Sequence, residues 1–115
     1  MSPVLTPLSP HQVADRIRSG RAVVIDVREP EEFAVEHLPG ALSAPLSVFD
    51  QAALGVQPGC EVIFMCRSGA RTGAYCDRLA ARVEGPACVL DGGLNSWKAA
   101  GLPVTSAAGG SPRTV

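Results

Sequence analysis

The run VIFMCRSGARTGAYCDRL, Val62 to Leu79, begins as an apolar strand and stops abruptly at a cysteine. Val62 to Met65 are continuously apolar, the pattern of a strand buried on both faces of a parallel sheet. Cys66 is then followed by Arg67, Ser68, Gly69, Ala70 and Arg71 before a helical stripe opens. A strand that only fills a core needs no such ending. As a strand-to-helix turn, however, residues 66–71 precede a helix whose first N–H groups lack intrahelical partners. Gly69 lets the chain curl so that several of these donors converge, forming an anion-binding turn at the positive end of a helix. A sulfur at its mouth is stabilised as thiolate, with a pKa lowered from about 8.5 to roughly 3.5–7.5 in such settings. Arg67 and Arg71 add positive charge suited to an anionic substrate.

Two further continuous apolar runs flank this one: AVVIDV, Ala22 to Val27, and ACVLD, Ala87 to Asp91. Weaker strand candidates are the Val-Leu pair at Val4 and the LSAPL segment around Ala44, where Pro45 restricts the strand to a short or edge position. Helical signals alternate with the strands. Ser9 and Gln12 have capping-box spacing, with Pro10 at the first helical position. Pro30 opens a short helix carrying Phe33, Ser47 and Asp50 begin another, and Gly92–Gly93 lead into Leu94 to Ala100. Between them, Ala70 to Val83 place Thr72, Cys76, Leu79, Ala80 and Val83 on one stripe, with Arg78 and Arg82 elsewhere. Strand alternating with helix predicts an α/β fold around a mostly parallel sheet. Ligands of such sheets bind beyond the carboxyl ends of the strands, where Asp26, Cys66 and Asp91 are expected to rim one crevice.

The whole chain has 115 residues, 46% hydrophobic and 18% charged, which suits one domain with a real core. Residues 4–105 are expected to form that domain, and 106–115, rich in Ala, Gly, Ser and Pro, a flexible tail. A net charge of −1 without a basic block argues against nucleic acid or an anionic membrane as partner. No run approaches membrane-spanning length and no signal segment is visible at the N-terminus, so the cytoplasm is the default compartment. Four cysteines, Cys60, Cys66, Cys76 and Cys88, are then expected as free thiols. His11 and His37 show no zinc spacing with them, and neither a metal nor a cofactor is expected. Cys76 and Cys88 have packing explanations and Cys60 lies in a turn, although any of the three could resolve an oxidised Cys66.

Three blocks in order, VIDVREPEEFAVEHLPGALSAPL (24–46), CRSGAR (66–71) and LDGGLNSWKAAGLPV (90–104), resemble a single-domain rhodanese of the thiosulfate sulfurtransferase superfamily. The resemblance implies a five-stranded, mostly parallel sheet flanked by helices on both faces. It also implies a nucleophilic Cys66 in a six-residue cradle ending at Arg71, and a persulfide on that cysteine. The expected activity is transfer of sulfane sulfur from a small anionic donor such as thiosulfate to cyanide, a small thiol or a protein thiol. Arg67 and Arg71 are candidate donor-binding residues; Ser68 either donates to sulfur or caps the helix. Asp26 and Arg28 are expected to tie the strand end to neighbouring loops, His37 to be structural, and Phe33 and Trp97 to lie in the core. Ser68 stands where thiosulfate-using two-domain relatives carry lysine, which leaves the donor open. Two other classes compete: a cysteine-based phosphatase or arsenate reductase, which needs a loop one residue longer, and a non-catalytic partner-binding module.

Overall fold

A computed structural model describes residues 5–51, 54, 56, 59–83 and 87–106. Val4 and residues 107–115, where a strand candidate and most of the expected tail fall, lie outside the described residues. The chain opens with β1 (Thr6–Leu8), α1 (Pro10–Arg18), β2 (Ala22–Asp26), α2 (Pro30–Val35) and β3 (Leu42–Ser43). A 3-10 segment (Leu46–Gln51) precedes β4 (Glu61–Met65), α3 (Ala70–Ala74), α4 (Cys76–Ala80), β5 (Ala87–Leu90) and α5 (Gly93–Ala99). All ladders of the five-stranded sheet are parallel, in the order β1-β5-β4-β2-β3. The strand that ends at Cys66 is thus central, paired on one side with β2 and on the other with β5.

The two-residue period of the strands divides the core. Val24, Ile63, Met65, Cys88 and Leu90 face one side, where Val13 of α1 and Leu94 and Trp97 of α5 close over them. Ile25, Val27, Val62, Phe64 and Ala87 face the other, under Phe49 of the 3-10 segment and Leu79 of α4. Cys66 continues the parity of Val62 and Phe64, so its side chain belongs to the second face.

Local chemistry sets the helix starts. Ser9 and Gln12 form the expected capping box, Gln12 N–H donating to Ser9 Oγ and Ser9 N–H to Gln12 Oε1. At α2, Pro30 takes the first position, and Glu29 N–H donates to Glu32 Oε1 at 3.1 Å.

Several expectations need correction. The helix expected over 70–83 is two short helices, because Tyr75 (φ −115°, ψ 22°) breaks it. The first piece is anchored on the turn through Thr72 and the second on the sheet through Leu79 and Ala80; the break lets both anchors be met. The helix expected from Ser47 is a 3-10 segment interrupted by a non-helical Val48. Trp97 is a core residue, its indole N–H bonded to Pro103 O. Phe33 is not: it is half-buried and stacks on the ring of His37 at 3.9 Å.

Candidate active site at the end of the central strand

The turn after β4 wraps a single sulfur atom. Cys66 is almost wholly covered, 1% exposed. Gly69 N–H donates to its Sγ at 3.1 Å, and the Thr72 hydroxyl lies 3.7 Å away. Gly69 adopts φ +96°, a left-handed conformation that brings its N–H back toward the sulfur and starts α3. Burial alone raises the Cys66 pKa. The N–H and hydroxyl of Thr72 and the N–H groups of Gly69 and Arg71 outweigh it, holding the thiol below its ordinary value.

A second layer fixes the turn from behind. Leu94 N–H donates to Cys66 O and Asn95 N–H to Arg67 O, both at 2.9 Å. The first turn of α5 therefore binds the turn's carbonyls and leaves its N–H groups for the sulfur. Gly93 makes this approach possible: a Cβ there would lie 2.4 Å from Cys66 O and 2.6 Å from the Arg67 carbonyl carbon. From the sequence, Gly92–Gly93 read as a helix lead-in within the third block of the resemblance, with no sign of this contact.

The arginines are not loose. Arg71 makes a two-pronged pair with Glu32 of α2, Nη1 to Oε1 at 2.8 Å and Nη2 to Oε2 at 3.0 Å. Arg67 Nε approaches the same carboxylate at 3.5 Å. This pair with Arg71, with further help from the Glu29 N–H, holds the Glu32 pKa at about 2 despite partial burial. Sequence reasoning missed Glu32. The available signal was the acidic run after β2 facing a turn that carries two arginines. Ser68 Oγ accepts from Ala70 N–H at 3.4 Å and makes no contact with sulfur among the bonds of the described residues; the cap position of α3 belongs to Gly69, without a side-chain cap bond, so neither expected role of Ser68 is met. Ala70 itself is exposed at the first position of α3.

Asp26 and Asp91 do not rim a crevice with Cys66. Asp26 is fully buried against Arg28, whose Nη2 lies 2.8 Å from Oδ2 and also donates to Glu36 O. The pair ties the end of β2 to the segment after α2, as expected. Asp91 is exposed, and its N–H is bonded to Leu8 O. His37 is structural: its Nδ1 meets Phe33 O and its backbone bridges Thr105. Cys60 and Cys76 are half-buried free thiols, and Cys88 is a buried one. Beside the turn a groove of about 550 Å³ is lined by Glu29, Leu46, Ser47, Arg71, Tyr75 and Arg78. Among the described residues no His, Cys, Asp and Glu cluster has the makings of a metal site, and no helix is long and apolar enough to cross a membrane.

A cysteine at the carboxyl end of a central parallel strand, faced by N–H donors, sits where a thiolate is stabilised. Residues 9–100 match the rhodanese-like domain family. The chain belongs to that family. This rhodanese domain is 37% identical over 97 residues to an uncharacterized protein of Synechocystis, covering 84% of this chain and 54% of that one. It is 31% identical over 87 residues to a sulfurtransferase of Allochromatium vinosum, covering 76% and 81% of the two chains. Among solved structures, the thiosulfate sulfurtransferase of Pseudomonas aeruginosa superposes with a TM-score of 0.80 at 27% identity, over 94% of the rhodanese domain and 21% of that longer chain. The domain thus spans about half the Synechocystis protein and about a fifth of the Pseudomonas one.

Proposed function

We propose that this rhodanese domain is a sulfurtransferase that carries sulfane sulfur on Cys66. The observation that supports this most is the enclosure of Sγ by donors that stabilise negative charge on one sulfur atom. The Cys66 thiolate attacks the outer sulfur of an anionic donor such as thiosulfate. A new S–S bond forms, the donor's S–S bond breaks, and sulfite leaves with the bonding pair. The outer sulfur of the resulting persulfide is anionic and takes over the donors of the turn. An acceptor then attacks it: cyanide leaves as thiocyanate, whereas a small thiol or protein thiol leaves as a persulfide. Cys66 returns as thiolate.

Arg71 has five N–H donors and directs two at Glu32, leaving others for the oxygens of a donor. Six residues from Cys66 to Arg71 close tightly on sulfur, with Gly69 N only 3.1 Å away. A tetrahedral phosphate needs a wider loop, so the phosphatase reading gains no support from this geometry. The retained cysteine likewise favours an enzyme over a binding module. Thiocyanate formation from thiosulfate and cyanide tests the proposal. Cys66→Ser should abolish it, and Cys60→Ser, Cys76→Ser and Cys88→Ser should each keep most of it. Wild-type turnover in Cys66→Ser would contradict the assignment.

A further inference from the structure

We propose that Glu32 is a positioning residue: by clasping Arg71 and touching Arg67, it holds the 66–72 turn closed so that its N–H groups stay aimed at sulfur. Glu32 reaches the site from α2, and 39 residues separate it from Arg71 in sequence. Its carboxylate joins three segments at once: the start of α2 through Glu29 N–H, the first turn of α3 through Arg71, and the start of the 66–72 turn through Arg67. Arg71 lies between Gly69, whose N–H is 3.1 Å from Sγ, and Thr72, whose hydroxyl is 3.7 Å from it, so the backbone that the clasp fixes is the backbone that serves the sulfur.

Two effects of Glu32 on Cys66 have opposite signs. As a negative charge near a thiol, it opposes ionisation. As a clasp, it promotes ionisation by keeping donors in place. The first effect is screened, because the Glu32 and Arg71 side chains are 27% and 35% exposed. The second acts through contacts of hydrogen-bond length around an almost wholly covered sulfur, where losses are large. The clasp therefore dominates. Among the described residues, the charged groups near the turn are Arg67 of the turn, Arg71 of α3, Glu32 of α2 and the Asp26–Arg28 pair at the end of β2, with Glu29 and Arg78 lining the groove beside Arg71.

Three variants separate the effects. Glu32→Gln retains an oxygen for Glu29 N–H but turns a donor toward Arg71. Glu32→Asp keeps the charge and loses reach. Arg71→Lys keeps the charge and loses the fork. The measurement is the pH dependence of Cys66 alkylation by a small reagent, in chains that carry Ser at the other three cysteines, with thermal melts to verify folding. Positioning predicts that all three variants move the inflection upward, with alkylation near neutral pH slowed roughly tenfold, the loss expected from one weakened charge-assisted hydrogen bond. A downward shift in Glu32→Gln with the other two unchanged would show that Glu32 acts only as a charge, and no shift in any variant would show that it does not act on the thiol; either overturns the proposal. The proposal rests on the sulfur-carrier reading for its significance but not for its test. A wild type that forms no persulfide overturns that reading and leaves the alkylation profiles able to decide the clasp.

Discussion

Cys66 and Cys88 are both buried thiols, yet their surroundings move them in opposite directions. Cys88 sits inside β5; burial raises its pKa first, and the nearby Glu61 carboxylate, 3.5 Å from Sγ, raises it further. Burial raises the pKa of Cys66 too, but N–H donors and the Thr72 hydroxyl act against it. Alkylation of Cys66 followed against pH should therefore inflect below the ordinary cysteine value of about 8.5, and alkylation of Cys88 above it. The sign follows from which form is held: a lowered pKa means that thiolate persists as pH falls below the ordinary value. An inflection for Cys66 at or above the ordinary value would mean that the donors miss the sulfur. Thr72→Val removes the hydroxyl and keeps the shape. It should raise the Cys66 inflection and leave the melting temperature nearly unchanged, since among the described residues the other bond of Thr72 Oγ1 is local, to Gly69 O.

At the level of elements, the turn is held between α5 behind and α2 in front. Gly93→Ala should move α5 off the turn, because its Cβ would overlap Cys66 O and because Gly93 sits at φ +61°. A cost of roughly 1–3 kcal/mol is expected from the backbone conformation alone, with the overlap adding to it, and thermal melting should show the loss. The α2 contact has a pH signature. The Glu32 pKa is about 2 when folded against an ordinary 4.5, so its contribution to stability is complete above about 4.5 and is lost as pH falls toward about 2. Wild type and Glu32→Gln should thus differ in melting temperature at neutral pH and converge as the solution is acidified through that window; a gap that stays constant would show that the charge of Glu32 contributes no stability. Local signals made much of this readable from sequence: the box at Ser9 and Gln12, Pro30 at a helix start, and Gly69 in a turn that closes a strand. What stayed hidden was contact at a distance. Nothing local in the acidic run after β2 says that Glu32, not Glu29 or Glu31, reaches Arg71. Nor does a Gly-Gly pair at 92–93 announce that a backbone 27 residues earlier must pass within van der Waals range. The break at Tyr75 was invisible because it reconciles two tertiary anchors while the apolar stripe runs on unchanged.

Across the whole molecule, the parallel sheet fixes where chemistry can occur. Its strand alternation divides the apolar residues into two cores and carries Cys66 to the carboxyl end of the central strand. That much follows from three apolar runs and their period. The expectation that Asp26 and Asp91 join Cys66 failed because strand-end position does not say where a side chain points; Asp26 turns inward to Arg28. This buried pair links β2 to Glu36, so Asp26→Asn should destabilise the domain by about 3–5 kcal/mol in denaturant titrations, leaving Arg28 with an uncompensated charge. A loss under about 1 kcal/mol, typical of an exposed pair, would show that water reaches the site. The central claim, that Cys66 carries sulfur, is tested most directly by intact mass and peptide mapping after incubation with thiosulfate. The account predicts one added sulfur atom, removed by reductant, on the peptide that contains Cys66 and absent in Cys66→Ser. An unmodified Cys66, or the same addition on Cys60, Cys76 or Cys88 instead, would contradict it.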